Sequence, residues 1–395
     1  MRTMRALLAF DKFKDALSAP AISAAAAEEL RVLHPDWELD LCPLTDGGEG
    51  FAEILTHAAD GHLRRVRVHG PRGEPVDAAF GLVPLARITP ATRAWLDLPA
   101  GLAADAPIAV VEMAAASGLA LVPKEQRDPW HASTFGTGEL LRAAAHAGAA
   151  AILLGIGGSA TNDLGLGALA ALGFEFHDAD GRPLASTAPA SWPSVARIQK
   201  NISPLLPPVR IACDVTNPLL GPAGCAAVYG PQKGLRPGDR ARLEHESARL
   251  ARLLCAHCAQ PETLVDTPGA GAAGGIAFGL MTAAGAQLLP GFALVSAWLG
   301  LDARLAAADL VLTGEGRFDG SSLTGKGPGA IAARAMALHR EVHVFAGTIT
   351  ASPPPGTRAH AITPAGLPLD QALAATASLL RAAIRRQFAP SPHAS

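Results

Sequence analysis

The densest chemistry in this chain lies in the run Thr313-Gly314-Glu315-Gly316-Arg317-Phe318-Asp319-Gly320-Ser321-Ser322-Leu323-Thr324-Gly325-Lys326-Gly327-Pro328. It reads as a strand from Asp309 to Thr313, then a glycine-punctuated loop holding two carboxylates and a lysine, then a helix begun at Pro328. A helix start offers unpaired N–H groups and a positive dipole end, which favour an anion, commonly phosphate. Carboxylates would be misplaced in a pure anion pocket. Glu315 and Asp319 beside Lys326 point instead to metal-bridged phosphate chemistry, because Mg²⁺ takes carboxylate oxygens while lysine neutralises phosphate. From Gly320 the chain reads G-S-S-L-T-G-K-G, close to a phosphate loop, but Gly327 stands where Ser or Thr should ligate magnesium. The bland alternative is an ordinary strand-to-helix turn with solvated charges.

Other strand ends carry similar residues. Strand Arg5–Phe10 ends in Asp11-Lys12-Phe13-Lys14-Asp15, and strand Glu38–Pro43 in Thr45-Asp46-Gly47-Gly48-Glu49-Gly50. Strand Ala151–Ile156 ends in Gly157-Gly158-Ser159-Ala160-Thr161-Asn162-Asp163, and strand Val209–Cys213 in Asp214-Val215-Thr216-Asn217-Pro218. The carboxyl ends of parallel strands share one rim, so groups far apart in sequence can converge there. Each Asp, Ser or Thr could equally be a helix cap. Gly269-Ala270-Gly271-Ala272-Ala273-Gly274 matches G-x-G-x-x-G, yet Pro268 precedes it and no acid follows at the expected distance. That context disfavours a Rossmann NAD site and leaves a phosphate nest or close helix packing open.

Strands and helices alternate along the chain. Strand Arg5–Phe10, a helix from Ser18 to about Leu33, strand Glu38–Pro43 and helix Phe51–Ala59 follow βαβ logic. Leu63–Val68 and Val76–Leu82 then flank Gly70–Pro75 as a hairpin, which suggests a domain change near residue 66. Strand Ile108–Glu112, helix Thr137–His146, strand Ala151–Ile156, helix Leu166–Leu172, a Pro-rich connector at 186–208 and strand Val209–Cys213 make up the middle. Past residue 300 come strand Asp309–Thr313, helix Gly329–His339, strand Val342–Phe345 and helix Asp370–Phe388, a parallel-sheet signature. The fold class is therefore α/β with two α/β domains. Residues 1–65 and 290–395 make a discontinuous Rossmann-like parallel-sheet domain, and 66–289 an inserted mixed α/β domain, with the active site expected in the inter-domain cleft. Residues 389–395 read as a frayed tail.

Composition closes off other classes. With 395 residues, 49% hydrophobic and 17% charged, the chain can build sizeable cores and is not disordered. A net charge of −2 with scattered Lys and Arg gives nucleic acid no basic face. The uncharged span Thr267–Leu301 is long enough for a membrane but is built of Gly and Ala and broken by Pro290, so a buried helix pair is expected and no membrane partner. The apolar run near the N-terminus stops after Phe10, too short for a signal peptide. Cys42, Cys213, Cys225, Cys255 and Cys258 are too scattered for a disulfide framework and suit a reducing cytoplasm, while Cys255-Ala256-His257-Cys258 is only half a zinc site.

These loops together, with Leu17-Ser18-Ala19, Asn217-Pro218-Leu219, Gly230-Pro231-Gln232-Lys233-Gly234 and Pro268–Gly275, resemble the bacterial glycerate kinases of type I, in that family's order and over nearly the whole chain. The resemblance implies ATP- and Mg²⁺-dependent phosphorylation of D-glycerate, most often to 2-phosphoglycerate, in two α/β domains without a P-loop. Two places depart from the pattern: Lys12 stands where many members have Ser, and Gly347–Pro368 is unusually Pro-rich.

Phosphoryl transfer asks mainly for positioning and charge neutralisation, and roles follow from that. Asp46, Glu315 and Asp319 are the candidates to hold magnesium. Lys14, Lys233 and Lys326 would balance phosphate or substrate carboxylate. Backbone N–H groups of Gly157, Gly158 and Ser159, and of Gly271, Gly274 and Gly275, are candidates for phosphate oxygens. Asp163 or Asp214 would serve as general base. The partners expected are ATP and a small hydroxy acid, with a homo-oligomer left open. Rival readings are a kinase for another hydroxy acid, including transfer to the 3-hydroxyl, a non-catalytic nucleotide sensor, and an NAD-dependent oxidoreductase.

Overall fold

The computed structural model describes residues 3–200 and 206–389, so the expected tail beyond Ala389 and positions 201–205 of the expected connector lie outside it. The strands are β1 (Arg5–Phe10), β2 (Glu38–Leu41), β3 (His62–His69), β4 (Pro75–Pro84), β5 (Pro107–Glu112), β6 (Ala151–Gly155), β7 (Phe174–His177), β8 (Arg197–Lys200), β9 (Val209–Ala212), β10 (Gln287–Leu289), β11 (Leu310–Phe318), β12 (Glu341–Ile349) and β13 (Arg358–Ala361). The chain divides into two compact units, one made of Met1–Asp46 and Val295–Ser395, the other of Gly47–Leu294.

In the first unit, five strands form an all-parallel sheet in the order β13-β12-β11-β1-β2. Parallel strands covered on both faces read as continuous apolar runs, and Ala6 to Phe10 are all buried. Ala6, Leu8, Phe10, Leu310 and Leu312 meet helices Ala19–Leu33 and Thr376–Phe388 in one core, while Leu7, Ala9 and Val311 are buried on the other side of the strands. Helices Leu301–Ala307 and Gly327–Ala337 also pack on this sheet. Ser18 caps the first helix by accepting from Ala21 N–H, and Pro20 sits in its first turn. From β1 the chain runs one way to β2, whereas β11 leads the other way to β12 and β13. The switch point therefore falls between β1 and β11, where open α/β sheets bind ligands outside the strands' carboxyl ends.

The second unit carries a six-stranded mixed sheet ordered β10-β9-β6-β5-β4-β3, in which β3 and β4 form the expected antiparallel hairpin and β5, β6, β9 and β10 run parallel. Helices Phe135–His146, Arg240–His257 and Ile276–Ala284 contribute to its core.

Several elements differ from the sequence reading. The units part at 46/47 and 294/295 rather than 65/66 and 289/290, because helix Phe51–Ala58 packs on β4 and β5. Strand β11 continues to Phe318, so Glu315 is a strand residue and not a loop residue. The helix after it starts at Gly327, one residue before Pro328. The single helix expected over Asp370–Phe388 is two, Leu369–Ala374 and Thr376–Phe388. The Pro-rich connector contains β8, and the Pro-rich stretch Gly347–Pro368 contains the end of β12 and all of β13. The uncharged span holds helices Ile276–Ala284 and Gly291–Trp298 with β10 between them, and no described helix is long and apolar enough to cross a membrane.

Candidate active site

At the switch point of the first unit, Asp11 directly follows β1 and its N–H donates to Gly314 O at 2.9 Å. Glu315 lies one residue further along β11, past the Phe10–Gly314 register pair. The carboxyls crowd one another. Burial first, then the Asp46 carboxylate, pushes Asp11 up to about 7 from 3.8, with Glu315 adding to the rise and Lys12 opposing it. Glu315 is likewise raised, by burial first and by the charges of Asp319 and Asp46, against a hydrogen bond with Ser322. Its Oε1 is buried and has no hydrogen-bond partner. Lys12 Nζ stands 3.5 Å from Asp46 Oδ1 and its backbone N–H donates to Asp11 Oδ1 at 2.7 Å.

The cationic residues of this unit are placed differently. Lys326 is the N-cap of helix Gly327–Ala337, and a Cβ built on Gly327 would lie 3.9 Å from Asp11 Oδ2, so this helix start approaches the carboxylates. Lys14 is exposed on the turn after β1. Asp319 caps the short turn Gly320–Leu323: its Oδ1 accepts from Ser321 N–H (2.9 Å) and Ser321 Oγ–H (2.7 Å), which holds its carboxyl below the usual range. Of the three expected magnesium residues, Asp46 and Glu315 thus share their setting with Asp11, and Asp319, whose charge also raises Glu315, has one oxygen engaged in local capping. Asp11 had no assigned role in the sequence reading, because its value depends on strand order.

In the second unit the centre is Lys233, only 1% exposed. Its ammonium donates to Ser159 Oγ at 2.9 Å and to Thr161 O at 2.5 Å. Burial lowers it to about 8 from 10.5, against the charges of Cys225 and Asp163. Around it the polar atoms Thr161 Oγ1, Asn162 Oδ1 and Asn162 Nδ2 are buried without partners.

Glycine has a steric reason here. Gly157 N–H donates to Gly47 O at 2.9 Å, and a Cβ on Gly157 would come within 2.8 Å of Gly48 backbone. Gly158 adopts φ +71° and a Cβ there would sit 2.6 Å from Glu49 Oε1. The loops Gly47–Gly50 and Gly155–Gly158 therefore touch backbone to backbone. A Cβ on Gly271 would meet Pro218 O at 2.2 Å and one on Gly274 would meet Thr161 O at 2.0 Å, while Gly275 has φ +91° against Leu164 and Leu219. For this second run, the alternative of close packing is what the geometry displays.

Asp163 needs correction as a candidate base. It is fully buried, and its Oδ2 accepts from Thr134 N–H (2.7 Å), Thr134 Oγ1–H (2.8 Å) and Gly167 N–H (3.2 Å), with Oδ1 accepting from Gly165 N–H (3.2 Å). Burial raises its carboxyl and these donors lower it. Both oxygens are saturated by the protein, so Asp163 pins Thr134 and the start of helix Leu166–Ala171 rather than facing a substrate. Asp214 is only partly buried at the end of β9, where both its oxygens lie within 3.1 Å of Phe292 N–H.

Whether a divalent cation suits the first unit can be judged from its donors. Among the described residues no group of three or more His, Cys, Asp or Glu side chains converges into a ready cage. Magnesium, however, is usually held by one or two carboxylates with water and substrate phosphate completing its shell. Asp46 and Glu315, with Asp11 beside them and Glu315 Oε1 orphaned, fit that mode. The buried thiols offer no nucleophile: burial pushes Cys42 up to about 12 and Cys225 up to about 11.

Two outcomes follow from the second unit. Asp163→Asn replaces one of two acceptor oxygens by an NH₂ group that must face protein donors, so urea denaturation should show a loss of about 1–3 kcal/mol, and unchanged stability would contradict the capping role. For Lys233, the unfolded chain binds more protons than the folded one between about 8 and 10.5, so its burial cost is present in full below about 8 and is relieved as pH rises. Wild type should gain stability relative to Lys233→Met across that window, whereas parallel pH profiles would count against the buried ammonium.

Comparison with known proteins identifies the family. The sequence model of the glycerate kinase family matches residues 6–389. A relative called glycerate 2-kinase from Escherichia coli (strain K12) is 38% identical over 351 residues, covering 88% of this chain and 86% of that protein. One called glycerate kinase from Bacillus subtilis (strain 168) is 38% identical over 349 residues, with the same coverage of 88% and 86%. A crystal structure from Salmonella typhimurium LT2, assigned as glycerate kinase 2, superposes with a TM-score of 0.76 at 38% identity and covers 98% of both chains. The chain is an enzyme and belongs to the glycerate kinase family.

Proposed function

We propose that this enzyme transfers the γ-phosphoryl group of ATP to the 2-hydroxyl of D-glycerate with the help of Mg²⁺. The observation that carries the reading is the set Asp11, Asp46 and Glu315, in which the Asp46 carboxylate helps raise the other two, at the switch point of a parallel sheet and beside the start of helix Gly327–Ala337. The name glycerate 2-kinase carried by the Escherichia coli relative supports the choice of the 2-hydroxyl.

Magnesium supplies charge neutralisation and a template for the phosphate oxygens. Asp46 and Glu315 would hold it, directly or through water, with Asp11 next to them. Lys326 and the helix start behind it favour phosphate oxygens, since donors and dipole both point to negative charge. Lys14, exposed near Gly316, adds a further positive charge. In the second unit Lys233 and Ser159 provide fixed donors, and Asp214 remains as the residue to accept the hydroxyl proton as the new O–P bond forms and the bond to ADP breaks. The five cysteines carry free thiols, which supports a cytoplasmic setting.

The direct test is a coupled ADP-release assay with ATP, Mg²⁺ and D-glycerate, followed by phosphorus NMR of the product. Glycerate-dependent ADP release and a 2-phosphoglycerate signal are expected. No release, or 3-phosphoglycerate alone, would overturn the reading or its regiochemistry respectively. Lys326→Ala should raise the KM for ATP about tenfold through loss of a charge-assisted contact, leaving the fold intact by circular dichroism.

A further inference from the structure

Strand β3 ends the six-stranded sheet, so one of its edges has no neighbouring strand. In an antiparallel pair, residues alternate between turning both N–H and C=O toward the partner strand and turning both away. His69 fixes the phase: its N–H points away from β4 and donates to Glu139 Oε2 at 2.7 Å. Arg67, Arg65 and Leu63, at every second place before it, therefore present their main-chain groups outward, opposite Asp77, Ala79 and Gly81 of β4. On that side these groups have no hydrogen-bond partner among the described residues.

The side chains give this edge a sign. Arg64, Arg65 and Arg67 are all exposed, and none has a carboxylate partner among the described residues, Asp77 opposite Arg67 included. The pleat sends Arg65 and Arg67 to one face and Arg64 to the other, where Val66 and Val68 join the core. Guanidinium groups thus flank the free edge on both faces, in a chain whose net charge is −2. An open edge is a template for another strand, and charged side chains on it keep copies of the same edge apart. Two β3 edges would set arginine against arginine, whereas a strand bearing carboxylates meets opposite charge on both faces. Glu139 makes such a contact within the chain: its carboxylate accepts the outward N–H of His69 and stands 3.0 Å from His69 Nδ1.

We propose that the free edge of β3 takes up an acidic, extended segment of a partner protein by strand addition. Main-chain bonds to Leu63, Arg65 and Arg67 set the register, as in other peptides that extend a sheet. Carboxylates at successive positions of the segment pair with Arg65 and Arg67 on one face and with Arg64 on the other, since the arginine fork matches a carboxylate in two parallel hydrogen bonds. The row of open main-chain groups selects a peptide over a nucleic acid: phosphates can answer the arginines but cannot continue the ladder.

The test uses the full chain and two fluorescein-labelled, threonine-rich peptides that carry either glutamates or lysines at the same places. Binding is read by fluorescence anisotropy at low and high salt, and hydrogen–deuterium exchange is followed over residues 62–69. The glutamate peptide should bind saturably, more weakly at high salt, and slow the exchange of the outward amides, whereas the lysine peptide should do neither. Removing two charges together, Arg65→Gln with Arg67→Gln, should weaken binding about tenfold. Arg65→Pro deletes an outward donor that the ladder with β4 does not use, so it should weaken binding with the circular dichroism unchanged. If that variant does not fold, the exchange measurement on wild type decides the mode of binding. No binding of the glutamate peptide, equal binding of the lysine peptide, or binding without exchange protection overturns the proposal. So does tighter binding of a single-stranded oligothymidylate that is lost in the arginine variant, which would make the edge a nucleic-acid contact.

Discussion

Carboxylates forced together at the carboxyl ends of β1 and β11 are the constraint on which the first unit depends. Folding places Glu315 on β11 and Asp11 just past the end of the adjacent parallel β1, and brings in Asp46 from the loop after β2, so negative charges meet in a partly buried setting. The raised carboxyls of Asp11 and Glu315 are a stability cost, since desolvation and like charge both disfavour the ionised forms. Lys12 and the start of helix Gly327–Ala337 offset part of it. Such a cost is expected where a site is arranged for a ligand of opposite charge rather than for stability alone.

The second unit solves a different problem, that of holding a positive charge inside. Lys233 is buried at the expense of its ionised form and compensated by Ser159 Oγ and Thr161 O. Those acceptors stay in place because the loop carrying them begins with glycines that let Gly157 lie on Gly47 and Gly48. Asp163, pinned by donors from Thr134, Gly165 and Gly167, fixes the end of the same loop. The conspicuous motif Gly157–Asp163 is therefore largely a scaffold that holds Ser159 Oγ and Thr161 O against the Lys233 ammonium.

Much of the fold was legible in sequence because buried parallel strands are continuous apolar runs, and β1 matches its expected bounds at Arg5–Phe10. Strand β11 was cut short because Gly314 and Gly316 resemble turn punctuation. In the structure they serve close strand packing: a Cβ on Gly314 would lie 1.8 Å from Phe345 O, and one on Gly347 would lie 2.4 Å from Gly316 O. Asp163 could not be told from a base, since a buried cap and a catalytic carboxylate have the same local pattern. Asp11 gains its meaning from the neighbouring of β1 and β11, a pairing across about three hundred residues that no local signal encodes.

The first unit's carboxylates must answer to a divalent cation if they serve phosphoryl transfer. The most direct measurement is the thermal midpoint of wild type and Glu315→Gln as Mg²⁺ is titrated at constant ionic strength. Binding to the folded state alone raises the midpoint with ligand concentration, so wild type should gain stability with Mg²⁺ and Glu315→Gln should lose most of that gain. Equal responses of the two proteins, or none in wild type, would contradict it.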